Sequence, residues 1–188
     1  FSQLIPVLDF CAVSIAADIV PVTGENRIMA FHGLKQLNQN PSVGMKSIIE
    51  ICGLTGRDIT MSDIIFKIGP RINASGRVQN GTETVDLLVE KDFRRALTLA
   101  TQIDKHNEER KEIDRMMSEE ANQIVERLES QEHQPAIVLY NEGWKKGVGG
   151  IVASRVTEMY YRPTVVLSCQ DGMASGSARS VAGYDIYD

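Results

Sequence analysis

The chain has 188 residues, a formal net charge of −5, and a composition that is 43% hydrophobic and 24% charged. This length suggests one large domain or two small ones, with enough apolar residues for a real core. The acidic balance argues against a generally basic nucleic-acid-binding surface, but it does not exclude a local basic cleft. Apolar runs are all shorter than the roughly 20 residues that span a bilayer.

The three cysteines are far apart in the sequence and odd in number. They form neither a metal-ligand pair nor a disulfide framework, so we predict a reducing, cytoplasmic location. The chain begins at Phe1 and stops within a run that reads like the opening of another element. We therefore expect a fragment of a longer protein.

The first part of the chain predicts helices. Residues 4–18 are apolar and predict a tightly packed buried helix, with a short strand as the alternative. A second helix is predicted to start after Thr23 and to end near Asn38 to Asn40, before Pro41. Its predicted apolar stripe consists of Ile28, Phe31, Leu34 and Leu37.

A third helix is predicted to start at Ser42 as N-cap and to stop at Gly53. Its predicted buried stripe consists of Met45, Ile48, Ile49 and Cys52. A short segment capped by Ser62 follows, and Gly69-Pro70 is predicted to end it. The stretch GPRINASGR, residues 69–77, is then predicted to be a loop.

Asp92 is a predicted N-cap for a long helix that reaches about Leu128. Its two ends are apolar on one face, whereas Lys105 to Glu112 is nearly all polar, which is typical of a helix that bridges two lobes. The alternative is a pair of helices with a turn near Asn107.

After Pro135 the pattern changes to a strand–helix–strand unit with parallel strands. The predicted elements are a strand at Ala136 to Tyr140, a glycine turn at Gly147 to Gly150, a helix at Ile151 to Tyr160, a strand at Thr164 to Ser168 and a third strand at Met173 to Ser180. The predicted class is therefore α/β, with two lobes joined by a long helix. The N-terminal part is mostly helical, and the C-terminal lobe has a small β-sheet flanked by helices, with the boundary near residue 133.

Residues 69–77 gather side chains that suit an anion, namely Arg71, Asn73, Ser75 and Arg77. The guanidinium group of arginine is a planar fork that matches phosphate oxygens, and small neighbours let backbone amides approach a ligand closely. The alternative is a surface turn whose arginines pair with carboxylates.

Two further stretches suggest anion binding, although each signal alone is weak. Residues 175–180 place Ser177 and Arg179 among small residues. Residues 147–150 would present amide groups at a helix N-terminus, with Arg155 one turn into that helix. Asp18, at the end of the first apolar segment, is either a metal ligand or a solvated helix cap, and spacing does not decide between them.

Together these pieces resemble the RecJ family, single-strand-specific 5′-to-3′ DNA exonucleases of the DHH phosphoesterase superfamily. The resemblance covers nearly the whole chain, from about Leu8 onward, and four motifs in order carry it. They are AADIVPVTGENR (16–27), GPRINASGR (69–77), GWKKGVGGIVASRV (143–156) and ASGSARS (174–180).

The resemblance implies a role for each candidate residue. Asp18 would belong to a two-metal site that uses Mn²⁺ or Mg²⁺, and would be catalytic in that sense. Arg77 first, then Arg71, would bind phosphate in the substrate cleft, which Asn73 would also line. In the C-terminal lobe, the residues implied to hold the substrate phosphate are Arg155, Ser177 and Arg179.

The resemblance also implies the domains and partners. Residues 1–81 would be the C-terminal part of a DHH phosphoesterase domain, 82–133 the connecting helices, and 134–188 a truncated DHH-associated domain. The implied substrate is single-stranded DNA, with recombination or repair proteins as partners and no membrane.

The chain departs from the family pattern in two ways. Ala178 stands where the family usually has Gly, and Lys145 where His is common. No DHH triplet and no DxD pair occurs, so we expect the 188 residues alone to have little nuclease activity. The alternatives are a phosphodiesterase of the same superfamily for short oligonucleotides or cyclic dinucleotides, and a non-catalytic nucleic-acid-binding module.

Overall fold

A computed structural model describes residues 3–78, 81–129 and 134–186. The chain divides into two compact units, Phe1–Asn107 and Glu108–Asp188. The predicted boundary near residue 133 lies outside the described residues, and the division at residues 81 and 133 stays a prediction. No helix in the described ranges combines the length and the apolar character needed to cross a membrane.

The first unit begins with two helices in close contact, α1 (Leu8–Ala17) and α2 (Gly24–Gln39). The approach is close because Gly33 has no side chain. A Cβ at this position would collide with the Leu8 carbonyl oxygen and would lie 2.8 Å from the Ala12 Cβ. The helix predicted over residues 4–18 is confirmed for Leu8–Ala17, and the strand alternative is wrong. The start of the predicted span is a short 3-10 helix, Ile5–Val7, which is exposed and not buried.

The apolar stripe predicted for α2 is wrong in part. Leu37 is buried, but Ile28 and Phe31 are 62% and 67% exposed, and Ala30 and Gly33 occupy the buried face instead. Residues spaced strictly by three drift by 60° per step around an α-helix, so Ile28 and Leu37 lie on opposite sides. The true contact face uses small residues, which a search for large apolar side chains overlooks.

Helix α3 (Val43–Ile51) follows with Met45, Ile48 and Ile49 buried, as predicted. Cys52, the fourth residue of the predicted stripe, is half-buried at the C-cap, and the backbone leaves the helix at Gly53, where φ is +66°. Ser42 occupies the N-cap position but makes no capping bond through its side chain. Its backbone N–H instead donates to Asp9 Oδ2 at 2.8 Å. A fully buried carboxylate on α1 thus holds the start of α3.

Residues 61–78 form one continuous helical segment, and three predictions for this region are wrong. The one-turn helix α4 (Met61–Asp63) is capped by Thr60 rather than Ser62, the π-helix Ile64–Ile68 continues it, and α5 (Gly69–Val78) follows directly. Gly69-Pro70 does not end the segment, and GPRINASGR is a helix rather than a loop.

The π-helical turn explains how the helix passes through a proline. Pro70 has no N–H and its ring crowds the preceding turn, which normally breaks a helix. Here the turn before it is widened, with the Gly69 N–H bonded to the Ile64 carbonyl five residues back. Gly69 also lets α5 approach α1, because a Cβ there would lie 3.1 Å from the Ala17 Cβ.

Helix α6 (Thr82–Val89) leads to α7 (Phe93–Glu129), a single helix of 37 residues. The Arg95 N–H donates to Asp92 Oδ1 at 2.9 Å, which confirms the predicted cap. The alternative turn near Asn107 is wrong, because α7 is continuous there. The core of the first unit joins α1–α3, residues 54–68, α6 and the first half of α7, and its largest fully buried side chains are Leu37, Met45, Ile48, Leu54, Ile64, Ile68, Leu87 and Ile103.

The second unit contains β1 (Ile137–Tyr140), α8 (Lys146–Tyr160), β2 (Thr164–Gln170) and β3 (Met173–Arg179). The strand order is β1-β2-β3, with β1 parallel to β2 and β2 antiparallel to β3. Side chains of β1, β2 and α8 form its core with the second half of α7, through Met117, Ala121 and Val125. The predicted fold class is confirmed.

Helix α8 begins at Lys146, five residues earlier than predicted. The glycines at 147–150 therefore form its first turn and do not precede it. Of these, Gly150 is the tight position, since a Cβ there would lie 3.3 Å from Ser177 Oγ, whereas one on Gly149 would make an ordinary contact at 3.6 Å from Val166 Cγ1.

Candidate functional site

Asp18 lies at the C-terminal end of α1 and is exposed. Ile19 follows it with φ of +52°, a left-handed conformation that is costly for a β-branched residue. Among the described residues, no group of three or more His, Cys, Asp or Glu side chains could hold a metal ion. One exposed carboxylate is not the cage that a divalent ion requires, so these residues alone do not fit a metal centre.

Arg71 is engaged by its own unit. Its Nε–H donates to Asp104 Oδ1 at 2.7 Å and its Nη1 donates to the Lys67 carbonyl oxygen at 2.9 Å. The side chain is only 17% exposed. Through its bond to Asp104, Arg71 joins α5 to α7. Arg71 also affects the nearby Cys52 thiol, because burial raises the pKa of that thiol and the guanidinium opposes part of the rise.

The helical geometry of α5 divides the four candidates of GPRINASGR between two faces. At 100° per residue, Arg71 and Ser75 lie within about 40° of each other, and Asn73 and Arg77 lie together on another side. Ser75 is fully buried, whereas Asn73 and Arg77 are exposed. Asn73 and Arg77 therefore present the solvent-facing polar surface of α5.

The segment that carries α5 is anchored at its start by a buried acidic group. Asp63 and Thr60 form a reciprocal capping box, and the Asp63 carboxylate also accepts hydrogen bonds from the Arg57 guanidinium. Lys67 Nζ lies 3.4 Å from the same carboxylate. The Arg57 hydrogen bonds, followed by those from Thr60, hold the pKa of Asp63 well below its usual range.

In the second unit, β3 places Ser177 and Arg179 on one side of the strand, next to α8. The Arg179 Nε–H donates to Ser154 Oγ at 2.9 Å, and Nη1 donates to the Ala178 carbonyl oxygen at 2.8 Å. Over the described ranges, no carboxylate lies within ion-pair distance of this exposed guanidinium. The structure therefore brings together Ser177, Arg179 and Ser154, and the last of these was not predicted.

Arg155 is directed toward α7. Its Nη2 donates to Asp114 Oδ2 at 2.8 Å, and the Asp114 side chain is only 5% exposed whereas that of Arg155 is 54% exposed. The Ser118 hydroxyl also donates to Asp114, at 3.3 Å. Sequence reasoning missed Asp114, because nothing around it distinguishes a buried carboxylate from the many solvated ones on α7.

The loop between β1 and α8 is fixed by a second acidic residue of α7. The indole Nε1–H of Trp144, a residue only 6% exposed, donates to Glu120 Oε2 at 2.7 Å. Asn141 Nδ2 donates to the same oxygen at 3.4 Å. This bond orients the chain just before Lys145, the N-cap residue of α8.

No protein-family model matches the chain. Curated proteins do match it, each named single-stranded-DNA-specific exonuclease RecJ. The protein from Bacillus subtilis is 37% identical over 184 residues, which are 97% of this chain and 23% of that protein. The protein from Haemophilus influenzae is 37% identical over 186 residues, 97% of this chain and 32% of that protein, and the Escherichia coli protein is 34% identical over 190 residues, 99% and 33%.

Solved structures of RecJ proteins also resemble the chain. RecJ from Thermus thermophilus in complex with Mg²⁺ superposes with a TM-score of 0.83 at 29% identity, over 97% of this chain and 28% of that one. Exonuclease RecJ bound to manganese gives a TM-score of 0.76 at 29% identity, over 96% and 44%.

The chain thus spans about a quarter to a third of the length of the curated relatives it matches. A match over 97% of the chain includes all four motif stretches at residues 16–27, 69–77, 143–156 and 174–180. On these sequence and structural matches, the chain belongs to the RecJ family.

Proposed function

We propose that the chain is part of a metal-dependent exonuclease that degrades single-stranded DNA from the 5′ end, and that Ser177 and Arg179 bind the 5′-phosphate. The observation that carries this proposal is the geometry of Arg179. Its guanidinium is oriented by two hydrogen bonds and has no described carboxylate as an ion-pair partner. Such a cation suits an anionic ligand with several oxygens.

The position of Ser177 also suits a bound 5′-phosphate. Its hydroxyl oxygen lies beside the position where Gly150 lacks a side chain, at 3.3 Å from the ideal Cβ, in the space next to Arg179 Nη2. A hydroxyl can donate one hydrogen bond and a guanidinium several, so together they match a terminal phosphate. The adjacent Ala178, where the family usually has Gly, directs its carbonyl oxygen to Arg179 Nη1.

In the first unit, Arg77 and Asn73 are the better candidates for contacts to the DNA backbone. Both are exposed on α5, whereas the Arg71 side chain is only 17% exposed. We propose that Arg77 binds phosphate, and that Arg71 contributes to the site chiefly by fixing α5. Charge-assisted contacts of this kind contribute about 1.5–3 kcal/mol each.

The relatives of known structure contain Mg²⁺ or Mn²⁺. The described residues of this chain do not form a site for either ion, so we derive no catalytic step through a metal. We propose Asp18 as one carboxylate of a centre whose other ligands lie outside the described residues. A polypeptide limited to these 188 residues is then expected to have little or no nuclease activity.

Several relatives are named as single-stranded-DNA-specific exonucleases, and this favours a long single strand as substrate over a short oligonucleotide or cyclic dinucleotide. We further propose a cytoplasmic role in DNA repair or recombination, with other proteins of those processes as partners, because a single-strand exonuclease would act on the intermediates of those processes.

The proposal is tested by measuring how strongly the protein prefers a 5′-phosphate. Fluorescence anisotropy would compare a single-stranded oligonucleotide carrying a 5′-phosphate with the same strand carrying a 5′-hydroxyl. The protein is the natural polypeptide that carries these 188 residues, in EDTA, so that no cleavage occurs, and at fixed salt. Arg179→Ala should abolish the preference for the phosphate, and equal losses on both strands would show a general backbone contact instead.

A further inference from the structure

The hydroxyl group of Ser154 is the only side-chain group, among the described residues, that holds the Arg179 guanidinium. The Arg179 Nε–H donates to Ser154 Oγ at 2.9 Å, over a separation of 25 residues. Ser154 Oγ in turn donates to the Gly150 carbonyl oxygen at 3.1 Å, one turn earlier in α8. The oxygen thus both donates and accepts, which fixes its orientation on the helix.

Gly150 supplies the space that this arrangement needs. A Cβ at Gly150 would lie 3.1 Å from Arg179 Nη2 and 3.3 Å from Ser177 Oγ. Contacts that short are too tight for a side chain to be added without movement. Because both short contacts are to the ends of side chains and not to backbone, Arg179 Nη2 and Ser177 Oγ are the groups that would have to move.

A free arginine side chain loses rotamer entropy when it is fixed on a ligand, which lowers the affinity. Holding Nε on α8 and Nη1 on the β3 backbone removes much of that freedom before the ligand arrives. Nη2 then lies over the glycine gap with Ser177 Oγ beside it. Preorganisation of this kind raises affinity without a new contact to the ligand.

We propose that Ser154 is a positioning residue for the 5′-phosphate site, and that Gly150 is the position that keeps the site open. Neither residue touches the ligand in this proposal. Ser154 acts through Arg179, and Gly150 acts by having no side chain. The inference rests on the proposed function of Arg179, and the experiment is arranged so that the two can fail separately.

The experiment uses the 5′-phosphate and 5′-hydroxyl oligonucleotides described above, with the natural polypeptide in EDTA. The quantity compared is the ratio of the two dissociation constants. Ser154→Ala removes one hydrogen bond, worth about 0.5–1.5 kcal/mol, so the ratio should fall about two- to tenfold while affinity for the 5′-hydroxyl strand stays unchanged. Ser154→Thr keeps the hydroxyl and should retain most of the preference.

Gly150→Ala provides an independent variant. A purely structural role, in which the missing Cβ only lets α8 pack against β3, predicts a lower melting temperature and an unchanged ratio. Alanine favours a helix interior over glycine, so the substitution itself should not lower the stability of α8. The proposal instead predicts a reduced ratio in a protein that melts at the same temperature or higher. Ser168→Ala is the matched control, because it removes a serine hydroxyl in the same unit that bonds the Ser175 carbonyl and does not touch Arg179.

The outcomes separate the two claims. If Arg179→Ala abolishes the preference but Ser154→Ala and Gly150→Ala leave it intact, the positioning role is wrong and the proposed function stands. If Arg179→Ala leaves the preference intact, the proposed function fails first. A loss of affinity for both strands in Ser154→Ala, with a lowered melting temperature, would show that Ser154 only stabilises α8, and this too would overturn the inference.

Discussion

The Nε–H of Arg71 donates to Oδ1 of Asp104 across 2.7 Å, and this bond joins α5 to the first half of α7. The two residues are 33 positions apart in the sequence. An arginine that looks like a phosphate ligand in the sequence is thereby part of the internal framework of its unit. Substitution of Arg71 should therefore lower the stability of the fold more than it lowers the affinity for substrate.

Arg71→Ala should lower the free energy of unfolding by about 1–3 kcal/mol, because a charge-assisted hydrogen bond is lost and Asp104 is left without it. A double-mutant cycle with Asp104→Asn in chemical denaturation should return a coupling energy of at least about 0.5 kcal/mol. Arg94→Ala is the matched control, since Arg94 is an exposed α7 arginine whose side chain has no described partner. Additive effects of the two substitutions would contradict the framework role.

Asp63 should make stability sensitive to acid. Its pKa is depressed in the folded protein, so its contribution is fully present above the unfolded pKa of about 4 and is lost as pH falls through the folded value. The free energy of unfolding of the unsubstituted protein should therefore fall more steeply below pH ~4 than that of Asp63→Asn.

Urea denaturation at several pH values between neutral and strongly acidic would measure these slopes. Asp58→Asn is the control, because Asp58 is an exposed carboxylate five residues away whose side chain makes no described bond. Parallel pH profiles for the unsubstituted protein and Asp63→Asn would contradict the assignment of this carboxylate as the anchor of the segment at residues 61–78.

The two helical glycines Gly33 and Gly76 should respond oppositely to alanine. At Gly33 the added Cβ collides with the Leu8 carbonyl, so Gly33→Ala should cost at least about 2 kcal/mol or prevent folding. At Gly76 nothing lies within 4 Å, and Gly76→Ala should be neutral or stabilise by up to about 1 kcal/mol. The melting temperatures of the two variants measure this difference. Similar values for Gly33→Ala and Gly76→Ala would contradict the close α1–α2 contact.

Arg155 should be needed chiefly to neutralise Asp114. Arg155→Ala leaves a nearly buried carboxylate without its cation and should cost about 1–3 kcal/mol of unfolding free energy. Arg155→Ala combined with Asp114→Asn should recover part of that loss. If Arg155 instead binds the substrate phosphate, Arg155→Ala will weaken DNA binding at unchanged stability, and the Asp114 substitution will rescue nothing.

Much of the fold follows from local patterns. The 37-residue helix α7 could be predicted because Asp92 caps it and its apolar residues repeat at helical spacing at both ends. The strand–helix–strand unit could be predicted from short apolar runs separated by glycine and proline. These signals are local, so they do not depend on which distant residues pack together.

The helix over residues 69–78 could not be predicted, since Gly69, Pro70 and Gly76 are all local signals for a loop. What allows the helix is tertiary, namely the π-helical turn before Pro70 and the close approach of Gly69 to Ala17. The hydrogen-bond partners of the predicted site residues could not be predicted from the sequence either, because they are distant along the chain. Asp104, Asp114 and Ser154 are 33, 41 and 25 residues from Arg71, Arg155 and Arg179.

The most direct test of the proposed function is the ratio of dissociation constants for a 5′-hydroxyl and a 5′-phosphate single strand, measured with unsubstituted protein and with Arg179→Ala. If Arg179 binds the 5′-phosphate, the unsubstituted protein should bind the phosphorylated strand at least about tenfold more tightly, as one charge-assisted contact would give, and Arg179→Ala should bring the ratio close to one. A ratio that is the same in both proteins would contradict the assignment of this arginine to the 5′-phosphate.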